Sequence, residues 1–494
     1  MHASPASLVS TGVPGLDAIL RGGLPRKRIY LLQGAPGVGK TTVGLQLLLE
    51  GLRHGEGGLY VTLSETEDEL RAVATSHGWD LTGITLHQLS TPEELLDQQR
   101  ASTIFHTAEV ELNETVSRVM NLVERTKPAR IVIDSLSEVR LLAGDSLRYR
   151  RQILSLKQQF AGRNSTVLFL DDGTSEQGDL QIQSIAHGVI ALDKVVPEYG
   201  AVRRRLEVVK LRGVDFHSGK HDFNIDETGV RVFPRLVIPP EQEKAEHQLV
   251  SSGISGLDAL VGGGLERGTS VVLVGPAGTG KSSVATLYAE AAARRNERAV
   301  FYTFDESLAT FYSRASGMGM ALDGSGSGPL VVRRIEPGEL SPGAFADEVQ
   351  RSVENDGTRL IVIDSLNSYL LAMPNQDLLL LHIHELLTYL GKRGVLTVLV
   401  VAQHGLIQGM QAPVDMTYLA DTVVLFRFFE AKGQVYKAIS VMKKRIGGQE
   451  TTIRQYDIDK EGIRVGPPLA EFRGVLTGVP EYVGPKAGLS SGKR

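Results

Sequence analysis

The chain contains no cysteine. Disulfides, thiolate zinc sites, iron–sulfur clusters and thiol catalysis are therefore excluded. It has a single tryptophan, Trp79, which is expected to pack rather than to bind. It has no large excess of either charge: the net charge is −4 and the pI about 6.3. Nothing in that balance calls for nucleic acid or an anionic membrane. No uncharged apolar run approaches membrane-spanning length. Residues Met1 to Ser10 lack a basic region followed by an apolar core, so no signal peptide is read. A cytoplasmic protein is the expectation. The remaining composition, 42% hydrophobic and 22% charged, is that of an ordinary globular protein. Its 494 residues suit two domains of roughly 230–250 residues each.

What is present is a repeat. Gly34-Ala-Pro-Gly37-Val38-Gly39-Lys40-Thr41, followed by Thr42, returns as Gly275-Pro-Ala-Gly278-Thr279-Gly280-Lys281-Ser282, followed by Ser283. Both fit the phosphate-cradling P-loop, G-x-x-x-x-G-K-[ST]. Its glycines let backbone N–H groups turn toward a polyphosphate such as that of ATP. The lysine neutralises the β- and γ-phosphates, and the Thr41 or Ser282 hydroxyl ligates Mg²⁺. An apolar strand precedes each loop and a helix follows it, so the positive end of the helix faces the phosphates. Gly12-Val-Pro-Gly-Leu-Asp17 recurs as Gly253-Ile-Ser-Gly-Leu-Asp258 at the same offset of 241 residues, and Asp134 and Asp364 are 230 apart. That is the spacing of a duplication with altered loops, because a solenoid would need several short repeats. Pro239-Pro240 and the charged stretch after it read as a connector. The expected division is an N-terminal domain over 1–238, a linker over 239–248, a C-terminal domain over 249–480 and a flexible tail over 481–494.

Strands alternate with helical patterns in each half, which predicts an α/β fold with a mostly parallel sheet flanked by helices and a terminal antiparallel β extension. Leu59 to Leu63, Ile131 to Asp134 and Thr166 to Leu170 read as strands, and Glu111 to Arg125 as a helix. Toward the end of the half, Gly188 to Lys194 and Arg203 to Leu211 read as a hairpin turning at Tyr199-Gly200. Asp134 and Asp364 close buried strands, where open α/β sheets bind ligands, and are read as Mg²⁺ carboxylates. A helix-capping role is the plainer alternative. Hydrolysis needs a group that orients or deprotonates water. Glu65 in the first half, and Asp305 with Glu306 in the second, stand after the second strand and are the candidates.

With these residues in hand, the chain resembles the KaiC family, ATPases and autokinases of the cyanobacterial circadian oscillator within the RecA-like superfamily. The resemblance is carried by the duplicated G-x-x-G-L-D opening, both P-loops, the acidic residues after strand two, His77-Gly-Trp79-Asp80, both Asp-ended strands, Lys210-Leu-Arg212-Gly213 and Lys443-Lys-Arg445. It covers nearly the whole chain and implies two tandem RecA-like P-loop domains. It also implies a homohexamer of two stacked rings with ATP at the subunit interfaces. In that setting Lys210, Arg212, Lys443 and Arg445 would act in trans on a neighbour's nucleotide. Each pair alternates on a strand and so faces one way; a charge-defended strand edge is the other reading. The implied C-terminal ring transfers phosphate to its own residues, and Thr417-Tyr418 matches the family's acceptor pair. A KaiB-like protein on either ring is the implied partner.

Three departures qualify the resemblance. Ser64-Glu65 stands where the family has two glutamates, so the first half is expected to turn over more slowly. Tyr418 stands where the family has Ser or Thr. The tail past Pro480 is shorter than the one that engages the family's stimulating partner. An ATPase with serine/threonine autokinase activity in clock, stress or other signalling is the leading reading. A RecA/RadA-like DNA-dependent ATPase and an ATP-gated signalling scaffold are the alternatives. Loops Asp171 to Asp179 and His404 to Pro413 are acidic or neutral, which disfavours DNA, and no histidine spacing suggests a metal site.

Overall fold

The computed structural model describes residues 8–89, 107–173, 179–197, 200–236, 238, 248–322, 324, 326, 328–371, 376–403, 418–431, 433–476 and 479–484. The chain divides into two compact units, Met1–Arg235 and Leu236–Arg494.

Each unit is built on one nine-stranded sheet. In the first, the strands are β1 (Ile29–Gly34), β2 (Gly58–Thr62), β3 (Ile84–Gln88), β4 (Arg130–Asp134), β5 (Thr166–Asp171), β6 (Gly188–Val195), β7 (Arg203–Leu211), β8 (Lys220–Asp226) and β9 (Gly229–Phe233). Their order is β9-β8-β7-β6-β1-β5-β4-β2-β3. The six strands from β6 to β3 in that order run parallel, and β7, β8 and β9 extend the sheet antiparallel. After a short helical turn at Leu16–Ile19, the helices are α1 (Lys40–Arg53), α2 (Glu67–Ser76), α3 (Thr107–Thr126), α4 (Leu136–Ala143), α5 (Ser146–Phe160) and α6 (Asp179–Ile185). Core residues form one cluster on each face of the sheet, around Leu45, Tyr60 and Val132 on one side and Leu59, Ile131 and Phe169 on the other. A strand buried on both faces reads as an unbroken apolar run, as Ile131-Val-Ile does.

The second unit repeats the plan. Its strands are β10 (Ser270–Gly275), β11 (Ala299–Thr303), β12 (Leu330–Arg334), β13 (Leu360–Asp364), β14 (Leu396–Ala402), β15 (Thr422–Ala431), β16 (Gln434–Lys444), β17 (Arg454–Asp459) and β18 (Gly462–Pro468). Their order is β12-β11-β13-β14-β10-β15-β16-β17-β18, the first unit's order read from the other edge. After a short helix at Ser255–Leu260, the helices are α7 (Lys281–Arg294), α8 (Leu308–Gly317), α9 (Pro342–Glu354), α10 (Leu366–Leu371) and α11 (Gln376–Lys392). The expected fold, two tandem RecA-like units with antiparallel extensions, is the one found. Glu481–Tyr482, expected in the tail, instead pairs with Phe472–Arg473. Tyr199 of the expected turn and the linker residues 239–247 lie outside the described residues.

The G-x-x-G-L-D motif is structural. Asp17 Oδ1 accepts hydrogen bonds from the Thr11 N–H at 3.0 Å and its hydroxyl at 2.7 Å. Asp258 does the same for Ser252, at 2.8 and 2.7 Å. The motif pins the segment that enters each unit, which is why it recurs with the P-loop. Trp79 packs against the first core cluster, as expected.

Lys210 with Arg212, and Lys443 with Arg445, each face one way, toward a single neighbouring segment, but each pair stands just past a bulge at the end of its strand. The register of β6 against β7 slips between Val189 and Ile190, and that of β15 against β16 between Val423 and Val424. One extra residue, Val209 or Met442, is thereby left without a ladder partner, and these are 45% and 50% exposed. A bulge of this kind re-aims the residues beside it. The strands then end at Leu211 and Lys444, so Arg212 and Arg445 lie beyond them.

Candidate nucleotide sites

Each central strand, β1 or β10, ends at a glycine and is followed by a loop and a helix that opens on the P-loop lysine. The residue before each helix, Gly39 or Gly280, has φ of +113° or +95°. An alanine there would also place its Cβ 2.6 Å from Ile225 Cδ1 or 2.2 Å from Ile458 Cδ1. Only glycine permits this entry. No side chain caps either helix start, so the first-turn N–H groups are available to an anion. By contrast, α2 is closed by a Thr66–Glu69 capping box.

In the first half, a cavity of about 320 Å³ is bordered by Gly37, Lys40, Thr41, Glu65, Asp134 and Asp172. Lys40 Nζ donates to the carbonyls of Gly34 and Ala35 at 2.7 and 3.1 Å and pairs with Asp172 at 2.8 Å. The Thr41 hydroxyl donates to Asp134 Oδ2 at 3.3 Å, and the Tyr60 hydroxyl to the same oxygen at 2.6 Å. Burial raises the Asp134 carboxyl above its ordinary range. Burial, then the charges of Asp134 and Glu69, push Glu65 up to about 7. Its Oε2 is buried with no hydrogen-bond partner among the described residues.

In the second half, a cavity of about 640 Å³ is bordered by Gly278, Lys281, Ser282, Asp305, Glu306 and Asp364. Lys281 Nζ donates to the Pro276 carbonyl at 2.7 Å, and burial lowers it to about 8. Asp364 is raised by burial to about 6, with the Ser282 hydroxyl as its hydrogen-bond partner. Asp305 accepts from the Ser365 hydroxyl at 2.6 Å and from that of Ser368. Glu306 is bound by Arg314.

The structure thus brings together the P-loop lysine, the hydroxyl after it, the strand-end Asp and the acidic residues after strand two, once in each half. Thr42 and Ser283 also border the cavities. Val38 is buried in the core, and the Thr279 hydroxyl turns back to the Pro276 carbonyl at 2.8 Å. These two can serve a ligand only through their backbone. The cationic residues Lys210, Arg212, Lys443 and Arg445 border neither cavity. Lys210 Nζ donates to the Gln183 carbonyl, and Arg212 to that of Ser184 at 2.9 Å. Lys443 donates to the Ala420 carbonyl at 2.7 Å, and Arg445 to that of Tyr418 at 2.8 Å. In both halves the pair ties down the segment ahead of the first strand of the antiparallel extension's hairpin. Tyr418 is 53% exposed, and Thr417 lies outside the described residues.

Asp172 and Arg314 escape a reading by motif. Asp172 had a signal, since Leu168-Phe-Leu-Asp-Asp172 ends an apolar strand in carboxylates as Ile131-Val-Ile-Asp134 does. Arg314, on α8 and eight residues after Glu306, had none.

The chain matches the family model described as "ATPase: KaiC" twice, over residues 9–237 and 250–470. It is 26% identical over 490 residues to the circadian clock protein KaiC3 of Synechocystis sp., covering 96% of this chain and 94% of that one. It is also 26% identical over 483 residues to the circadian clock oscillator protein KaiC of Synechococcus elongatus, covering 96% and 92%. The oscillator protein KaiC of Parathermosynechococcus lividus is 25% identical, with 96% and 88% covered.

Proposed function

Because this chain belongs to the KaiC family of ATPases, we propose that it binds ATP in both halves, hydrolyses it, and transfers phosphate to its own second half. The observation that carries the reading is the twofold meeting of P-loop lysine, hydroxyl and strand-end carboxylate, with Thr41 3.3 Å from Asp134 and Ser282 bonded to Asp364.

These donors suit Mg²⁺, a hard cation that takes oxygen ligands and keeps several waters. Thr41 with Asp134, and Ser282 with Asp364, would hold it, and the nucleotide's phosphates would complete its shell. When bound, the ion supplies positive charge to the β- and γ-phosphate oxygens. The chain does the rest. Lys40 and Lys281 hold the phosphates, and the uncapped helix starts receive them. Glu65, which borders the first cavity, accepts a proton from the attacking water.

In the second half, the acceptor is the Thr417 or Tyr418 hydroxyl. Its oxygen bonds the γ-phosphorus, the bridge to the β-phosphate breaks, ADP leaves, and the hydroxyl proton passes to Asp305. Lys210, Arg212, Lys443 and Arg445 hold the segments that, in a homohexamer, would face the adjacent protomer's nucleotide. A cytoplasmic signalling role with a KaiB-like partner completes the reading.

The test is one incubation with γ-labelled ATP and Mg²⁺, followed for free phosphate and for labelled protein. Both signals are expected, with label on Thr417 or Tyr418 by mass spectrometry and both lost in excess chelator. Phosphate release without labelled protein would leave an ATPase alone; neither signal would sink the reading.

A further inference from the structure

The two halves share their P-loops but differ in what surrounds the acidic residue after strand two. At the offset of 241 residues, Glu65 matches Glu306, Val73 matches Arg314, and Leu45 matches Thr286. In the second half, Arg314 Nε donates to Glu306 Oε1 at 3.1 Å and Nη2 to Oε2 at 2.8 Å. Nη1 donates to the Thr286 hydroxyl on α7 at 3.3 Å. The guanidinium carbon also lies 5.1 Å from the centroid of the Phe311 ring. The cation is therefore held by Glu306, by Thr286 of α7 and by the Phe311 ring of its own helix, and both oxygens of Glu306 are engaged. Arg314 is 23% and Glu306 19% exposed, so water screens the pair little.

Among the described residues, the first half has no such clamp. Val73 borders its cavity and its side chain carries no polar atom, so no guanidinium reaches Glu65 from that position. A carboxylate draws a proton from water through a free lone pair. A two-point guanidinium fork stabilises the anion and turns both oxygens away. Hydrolysis joins the water oxygen to the γ-phosphorus, breaks the β–γ bridge and leaves the water's proton on a base. Both oxygens of Glu306 point into the fork, so neither is turned toward a water in the cavity.

We propose that Arg314 is a positioning residue that withholds Glu306 from water, so that ATP bound in the second half outlasts ATP bound in the first. This rests on the ATPase reading above, and it reverses the order expected from Ser64 alone. ATP that persists is also what a phosphate transfer to a protein hydroxyl requires.

The test measures second-half turnover in the full chain carrying Lys40→Ala, which silences the first P-loop. Adding Arg314→Val, the first half's residue, should raise kcat about tenfold with KM within about twofold. Arg314→Lys, a single point charge that cannot fork, keeps the charge and should give a smaller rise. Adding Glu306→Gln to either should remove the gain, which a merely loosened structure would not do. After ATP loading and desalting, the Lys40→Ala parent should retain ATP and the Arg314 variants ADP. Unchanged or lower kcat in both Arg314 variants, with ATP retained intact, would overturn the inference while leaving the ATPase reading standing. No phosphate release from the wild-type chain would remove both.

Discussion

Lys40 and Lys281 hold the same place in two P-loops and have different neighbours. Asp172 sits 2.8 Å from Lys40, where the end of β14 offers Lys281 only Ala402 as a matching residue. An incoming phosphate must displace that carboxylate from the lysine. Asp172→Asn should therefore tighten ATP binding to the first half about fivefold, equivalent to about 1 kcal/mol. Titration of a fluorescent ATP analogue into the Lys281→Ala background reads it, and weaker binding would mean that Asp172 helps hold the ligand. Glu65 makes a prediction in pH. Its carboxyl is raised from 4.5 to about 7, so the folded chain holds that proton more tightly than the unfolded one. The associated stability is full below about pH 4.5 and is lost as pH rises through about 7. In nucleotide-free, metal-free protein, Glu65→Gln should match wild type at pH 5. By pH 8 it should exceed wild type by about 1 kcal/mol after allowance for solvent screening, or about 2–4 °C in Tm. A gap that stayed constant with pH would contradict the shift.

At the level of elements, what could be read was what water exclusion dictates. β1, β4 and their counterparts β10 and β13 are buried on both faces and read as apolar runs. The P-loop glycines stood out because a left-handed entry to a helix admits little else. Gly39→Ala should abolish ATP binding in the first half alone and cost about 1–2 kcal/mol, with the second half's binding as the internal control. Retained binding in both halves would show that the entry can relax. The elements that went unread have mixed faces. The α5 helix carries Arg148, Arg150, Arg151 and Lys157 and commits only Tyr149, Ile153, Leu156 and Phe160 to the core. The β8 strand, Lys-His-Asp-Phe-Asn-Ile-Asp, is mostly polar and depends on its neighbours for pairing. The bulges at Val209 and Met442 were not readable, but each precedes both members of its cationic pair, so the shift moves the pair together and its common direction survives. Most of the candidate site was legible for the opposite reason. Its residues sit at strand ends and loop turns fixed by short motifs, whereas Arg314 acts through a tertiary contact that leaves no local trace.

The whole molecule is a duplication in which the frame was kept and the restraints diverged. If cationic segments complete a neighbour's site, nucleotide should hold the assembly together. Light scattering should then show a hexamer with ATP and smaller species without it, and one unchanged mass in both conditions would break that link. The divergence itself has a kinetic signature. In one half the restraint lies on the lysine that receives the phosphates; in the other it lies on the carboxylate that would activate water. A restraint on reception raises the concentration needed for occupancy, whereas a restraint on activation lengthens the dwell once occupied. Steady-state hydrolysis against ATP concentration should accordingly show two phases, a low-capacity one that saturates early and a high-capacity one that saturates late, and a single hyperbola would show the halves to be equivalent. One polypeptide, made as one copy, would then carry two instruments reading the same fuel: a gauge that answers how much ATP is present, and a clockwork that answers how long ago it arrived.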